Sequence, residues 1–260
     1  MALIAAVMLA VVLPVTVDAS AARIGGPAGP GQPIGWTTCG SGLECANVPV
    51  PLDWRHPDGP TIMLSVIRHL ASRPEQRIGS LFFNPGGPGD SGVAAVAERG
   101  EALDALTAGR FDIVGWDIRG SAGSSPLLCF ANASERASFW QGLPVPTTRT
   151  EQRRYLAKTV ALAQRCGARN GELLAHITTA DTARDLDHLR RLVGDRQLSY
   201  LGESYGTLIG QTYANLFPRR VRAMVLDGVV DPVAAAAGTE AVLASSLKCF
   251  LGVVACIGGQ

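Results

Sequence analysis

Apolar and polar positions alternate along this chain in runs whose period keeps changing. Thr61 to Leu70, TIMLSVIRHL, is the dense apolar run of a strand, and Ile78 to Gly92, IGSLFFNPGGPGDSG, is a buried strand that leads into a glycine loop. Helical spacing follows over about residues 92–109 in VAAVAERGEALDAL, then FDIVGWDIRG (111–120) returns to a strand ending in a Gly/Ser turn. Two amphipathic helices are predicted near 150–168 and 180–193. The second, TADTARDLDHLRRLVG, opens on an N-cap with an acidic first turn and closes at Gly194 behind basic residues, which suits the helix dipole at both ends. QLSYLGES is a strand, YGTLIGQTYANLF a helix stopped by Pro218, and VRAMVLDGVVD one more strand. Such alternation predicts an α/β fold with a mostly parallel sheet and helices on both faces.

The two ends break this rhythm. Residues 1–21, MALIAAVMLAVVLPVTVDASA, form an apolar run closing on Ala19-Ser20-Ala21, the small residues a signal peptidase accepts. No Lys or Arg precedes it, and its roughly 17 apolar residues fall short of the about 20 that cross a bilayer, so export with cleavage is expected and an uncleaved anchor is the alternative. Residues 22–35, Gly/Pro/Ala-rich, read as a flexible lead-in, and the fold is expected over 36–232. Residues 233–260 begin as a helix and stop at CIGGQ without a closing element.

With 260 residues, 47% of them hydrophobic, the chain can bury a large core. A net charge of +1 with no Lys/Arg block gives no support to nucleic acid or an acidic membrane as a partner. Six cysteines, Cys39, Cys45, Cys129, Cys166, Cys249 and Cys256, are an even set in a chain expected to be exported, where disulfides persist. Connectivity stays open; the simplest pairs neighbours, 39 with 45, 129 with 166 and 249 with 256. Neither C-x-x-C nor H-x-x-x-H occurs, so no metal site is expected, and no cofactor is implied.

Chemistry concentrates in two stretches. In LSYLGESYGTLIG (198–210) the run G-E-S-Y-G places Ser204 between Gly202 and Gly206, after a strand pattern and before a helical one. That context predicts a nucleophile on a tight turn, where larger side chains at 202 and 206 would clash and the following helix aims its first amides at a developing oxyanion. N-P-G-G-P-G-D-S-G (84–92) follows a buried strand, and its glycines would let backbone N–H groups approach a substrate carbonyl. Gly87, or Gly86 beside it, and Tyr205 are the expected oxyanion donors. A phosphate loop is the rival, but neither phosphate-binding glycine pattern is matched. Asp227 ends the strand after the nucleophile and is a candidate acid, with a structural turn as the plainer role. Asp117 and Arg119 sit in another strand-end turn, and Glu203 could meet a substrate amine or pack at the bend. His56, His69, His176 and His188 all precede Ser204 and read as surface or packing residues.

The runs WTTCGSGLECANVPVPLDW, FFNPGGPGDSG, FDIVGWDIRGSAGSSPLLC and DLDHLRRLVGDRQLSYLGESYGTLIGQTYANLFPRRVRAMVLDGVVDP resemble, in this order, the secreted tripeptidyl aminopeptidases of actinobacteria, relatives of the prolyl aminopeptidases within the α/β-hydrolase fold. The resemblance covers Trp36 to Pro232. It implies Ser204 as nucleophile, Tyr205 and the Gly86-Gly87 loop as oxyanion hole, cysteine bridges of exported enzymes, and release of short peptides from a free N-terminus through an acyl-enzyme. It also implies a helical lid after the last strand, then further strands that deliver an Asp and a His. On that basis residues 233–260 are expected to start a lid, the sheet to stop before its C-terminal strands, and activity to be defective because no histidine follows Ser204. A non-catalytic binding module, an esterase or lipase, and a second chain that supplies the missing half are the alternatives.

Overall fold

The computed structural model describes residues 34–142 and 146–237. The leader at 1–21, most of the lead-in, Cys249, Cys256 and the start of a lid beyond residue 237 lie outside the described residues.

Seven strands form one sheet: β1 (Thr37–Gly40), β2 (Leu43–Pro51), β3 (Thr61–His69), β4 (Gly79–Asn84), β5 (Phe111–Trp116), β6 (Leu198–Glu203) and β7 (Val221–Asp227). Their spatial order is β1-β2-β3-β5-β4-β6-β7. The sheet is mixed. Pairings β1-β2, β2-β3 and β3-β5 run antiparallel, whereas β4-β5, β4-β6 and β6-β7 run parallel. The parallel half is where strand and helix alternate in the sequence; the antiparallel half is an N-terminal meander with no room for a crossover helix. Phe82 and Phe83, adjacent in β4, are both fully buried, as expected of a strand covered on both faces.

Helix α1 (Gly92–Leu106) covers one face. Its Val96 and Leu103 pack with Ile67, Phe83 and Ile113. On the other face α4 (Thr179–Leu192) and α5 (Tyr205–Leu216) set Ala183, Leu186, Leu189, Ile209 and Tyr213 against Leu64, Val66, Phe82, Trp116 and Tyr200. Two further helices, α2 (Ala133–Trp140) and α3 (Arg149–Asn170), make an excursion between β5 and α4, and α6 (Pro232–Ala237) follows β7. Helix α2 has no counterpart in the sequence reading; only eight residues long and without a buried side chain, it leaves little periodic signal.

The core is pinned by one ion pair without solvent contact. Arg119 donates to both carboxylate oxygens of Asp185 at 2.6 and 2.7 Å, and also to the carbonyls of Pro51, Leu52 and His176. Trp54 Nε1 adds a donor to Asp185 at 2.9 Å. Of the expected bridges, Cys39–Cys45 closes the β1-β2 hairpin and Cys129–Cys166 ties the loop before α2 to α3.

The two margins of the sheet differ. The β1 margin has four residues, a register shift and a disulfide. At the β7 margin Val225 is 60% exposed, and a groove of about 370 Å³ opens between α1 and β6-β7, lined by Leu81, Leu103, Leu106, Leu201, Met224 and Val225 among others. Helix α1 lies over β3, β5 and β4 and stops short of β7, which leaves that apolar face bare.

Candidate functional site

The C-terminal ends of β4 and β6 are neighbours, with Asn84 in register with Gly202, so the glycine loop and the Ser204 turn emerge side by side. Between β6 and α5 the chain reverses through Ser204 alone, at φ 51° and ψ −119°. A positive φ is unfavourable for a residue with a Cβ, and such strain costs on the order of 1–3 kcal/mol, retained where surrounding contacts over-determine it. Those contacts are visible. Ser204 N–H donates to the Asp227 carbonyl at 2.8 Å, and the Ser204 carbonyl accepts from Thr207 through its N–H and hydroxyl. Tyr200 Oη donates to the Gly206 carbonyl at 2.8 Å, and burial pushes that phenol well above its usual pKa.

The flanking glycines are demanded by contact. A Cβ at 202 would lie 2.5 Å from the Gly206 carbonyl oxygen, and one at 206 would lie 2.7 Å from that of Asn84. Gly86, at φ 100°, is as closely confined: a Cβ there would sit 2.6 Å from the Glu203 oxygen, 3.0 Å from Ser204 Cβ and 3.1 Å from Tyr205 N. The loop therefore lies against the turn, and both sequence stretches meet at one exposed hydroxyl.

Candidate donors sort themselves by what they already bond. Tyr205 opens α5, so its N–H has no partner within the helix. Gly86 N–H is taken by Asn84 Oδ1 at 3.1 Å, whereas Gly87 N–H bonds nothing among the described residues. The Tyr205 hydroxyl shares a hydrogen bond with Thr179 Oγ1 at 2.8 Å.

The acids divide as well. Asp117 is buried and accepts from Ser91 Oγ, Val93 N and Gly123 N, which caps α1 and closes the following turn. Glu203 forms a two-pronged pair with Arg99 of α1, at 2.6 and 2.9 Å, and the guanidinium also lies over the Phe83 ring. Its carboxylate is thus engaged behind the turn. Asp227 is exposed; its carbonyl holds Ser204, while its carboxylate has no partner among the described residues.

None of the four histidines bonds Ser204. His56 pairs with Asp53, and His69 packs beside Gly100. His176 offers its carbonyl to Arg119, and His188 contacts Arg191 and the Trp54 ring. Sequence reasoning missed Asn84 and Arg99. Asn84 only opens the glycine motif, with nothing there to mark its side chain as an acceptor, and Arg99 acts through Glu203, 104 positions away.

A family model described as the alpha/beta hydrolase fold matches residues 79–244. Among curated proteins, the serine protease Hip1 of Mycobacterium tuberculosis is 40% identical over 241 residues, 89% of this chain and 46% of the relative. The tripeptidyl aminopeptidase of Streptomyces lividans is 40% identical over 210 residues, 76% of this chain and 38% of the relative. The carboxylesterase B of Mycobacterium tuberculosis is 38% identical over 224 residues, 78% and 42%. The chain spans less than half the length of each of these relatives.

Proposed function

This chain belongs to the α/β-hydrolase fold family, and we propose that within it Ser204 is the nucleophile of an exported serine peptidase acting on the free N-terminus of peptides. The Ser204 oxygen, losing its proton to a base, adds to the scissile carbonyl, and the tetrahedral oxyanion is received by the Tyr205 and Gly87 N–H groups at the mouth of α5. Collapse breaks the C–N bond, the amine takes up a proton and leaves, and water then hydrolyses the acyl ester to free acid and serine. The observation that carries this reading is the strained, exposed Ser204 against a glycine loop whose next amide is free. Relatives named serine protease and tripeptidyl aminopeptidase support the peptide substrate. The apolar leader and the two disulfides support a secreted or envelope location, and no helix among the described residues is long and apolar enough to cross a membrane.

Proton transfer is the weak step. All four histidines lie among the described residues and none reaches the hydroxyl, so the described residues lack the general base that contributes about 10²–10⁴-fold. Asp227 stands beside the nucleophile as the candidate acid, and residues outside the given sequence, on a longer chain or a second polypeptide, are the proposed source of the imidazole.

Incubation with a fluorophosphonate tests the reading. The expected result is slow labelling that maps to Ser204 and vanishes in Ser204→Ala, with faint release of tripeptides from N-terminally free peptide amides. Turnover of acyl esters alone would make the protein an esterase. Peptide binding unchanged in Ser204→Ala, with no labelling of the parent, would make it a non-catalytic binding module.

A further inference from the structure

Asn84 is 1% exposed at the end of β4, where most strand residues are apolar, and its Nδ2 is a buried donor without a partner among the described residues. An unpaired buried amide is disfavoured, so the residue must serve through its other atoms. Its Oδ1 accepts the Gly86 N–H at 3.1 Å. The same oxygen would stand 2.9 Å from a Cβ on Gly206, and the Asn84 carbonyl 2.7 Å from it. The carboxamide is thus wedged between the glycine loop and the first turn of α5. A leucine there would strand the Gly86 N–H, and an ionised aspartate would place negative charge near a developing oxyanion.

We infer that Asn84 is a positioning residue: by holding the Gly86 N–H it fixes the loop against the Ser204 turn and leaves Gly87 N–H as the donor that faces the reacting oxygen with Tyr205. The inference rests on the nucleophile assigned above to Ser204.

Two readouts on the full chain separate it from that assignment. The first is amide exchange of Gly86 in glycine-labelled protein by NMR, which needs no activity. The second is the fluorophosphonate labelling of Ser204, resolved into reagent affinity and maximal rate. In Asn84→Leu, Gly86 exchange should accelerate at least about tenfold, and the maximal rate should fall about 10²-fold, the loss typical of a displaced oxyanion donor, with affinity unchanged. Asn84→Asp, which keeps an acceptor oxygen in place, should restore Gly86 protection, while its charge lowers the rate on its own account. Asn84→Ala carries the same comparison should the leucine variant not fold. Unchanged Gly86 exchange on loss of the acceptor overturns the inference, as does Gly86 exchange in the aspartate variant as fast as in the leucine variant. An unlabelled parent overturns the nucleophile assignment and leaves the Gly86 exchange to decide the role of Asn84.

Discussion

Helices α3 and α4 are near neighbours in the chain and are held by opposite means. Helix α3 has 22 residues and buries none of them; α4 has 14 and buries eight, including Asp185, Asp187, His188 and Arg190. The first is fastened by surface devices. Thr148 and Glu151 make a capping box at its start, Cys166 is bonded to Cys129, and Asn170 accepts from the Leu128 N–H at its end. The second is fastened from within, by Leu186 and Leu189 in the apolar core, by the Arg119–Asp185 pair, and by Asp187, which accepts from Arg190, Arg220 and the Tyr213 hydroxyl. A covalent tie lets a segment stay solvated. A segment without one must bury what it carries, and buried charge must then find a partner.

The contrast predicts unequal responses to damage. Arg119→Met leaves Asp185 in the core without its counter-charge and should cost about 3–5 kcal/mol in denaturant unfolding, whereas Arg119→Met with Asp185→Leu should recover most of it. A cost under about 1 kcal/mol for the single change would erase the distinction between the helices. Next in size, Cys129→Ser with Cys166→Ser should loosen residues 126–170 by about 2–4 kcal/mol, seen as faster amide exchange there while amides around Ser204 keep their protection. Loss of protection at both places would show that the excursion supports the core after all.

The smallest effect is a slope with pH. Burial, aided by Arg191, pushes the His188 imidazole down to about 4. Between that value and the ordinary value near 6.5 the unfolded chain binds a proton that the folded chain refuses. His188 therefore supports the fold above about pH 6.5, and that support, about 2–3 kcal/mol, is lost as pH falls toward 4. Burial pushes Asp185 the other way, up to about 6 against the pull of Arg119, so its contribution falls as pH rises through the same interval. The two contributions oppose each other between about pH 4 and 6, so relative to the parent chain His188→Gln should gain stability on acidification; denaturant midpoints of both proteins against pH give the two slopes.

The sequence was most legible where backbone meets backbone. Gly202 and Gly206 were readable because a Cβ there has nowhere to go, whereas the same crowding at Gly86 appears only in the fold, and the strand and helix predicted around Ser204 appear as β6 and α5. Apolar runs likewise gave β3, β4, β5 and β7 within a few residues. Ion pairs between distant segments, buried or not, were not legible. Arg119 and Asp185 stand 66 positions apart, and Arg99 and Glu203 stand 104 apart, so no local pattern marks either pair. Helix α3 shows the converse: its periodicity suggested an apolar face to bury, yet Leu156 remains 63% exposed, because the disulfide and the cap hold the helix without that face.

The Ser204 amide is moored to the Asp227 carbonyl, and Asp227 belongs to β7, one of the two edge strands among the described residues. The hydroxyl at the heart of the proposed chemistry thus takes its footing from the fringe of the sheet. Fraying of that fringe reaches it through this bond and the β6-β7 ladder beneath it, so whatever steadies β7 also sets how still the reacting oxygen stands.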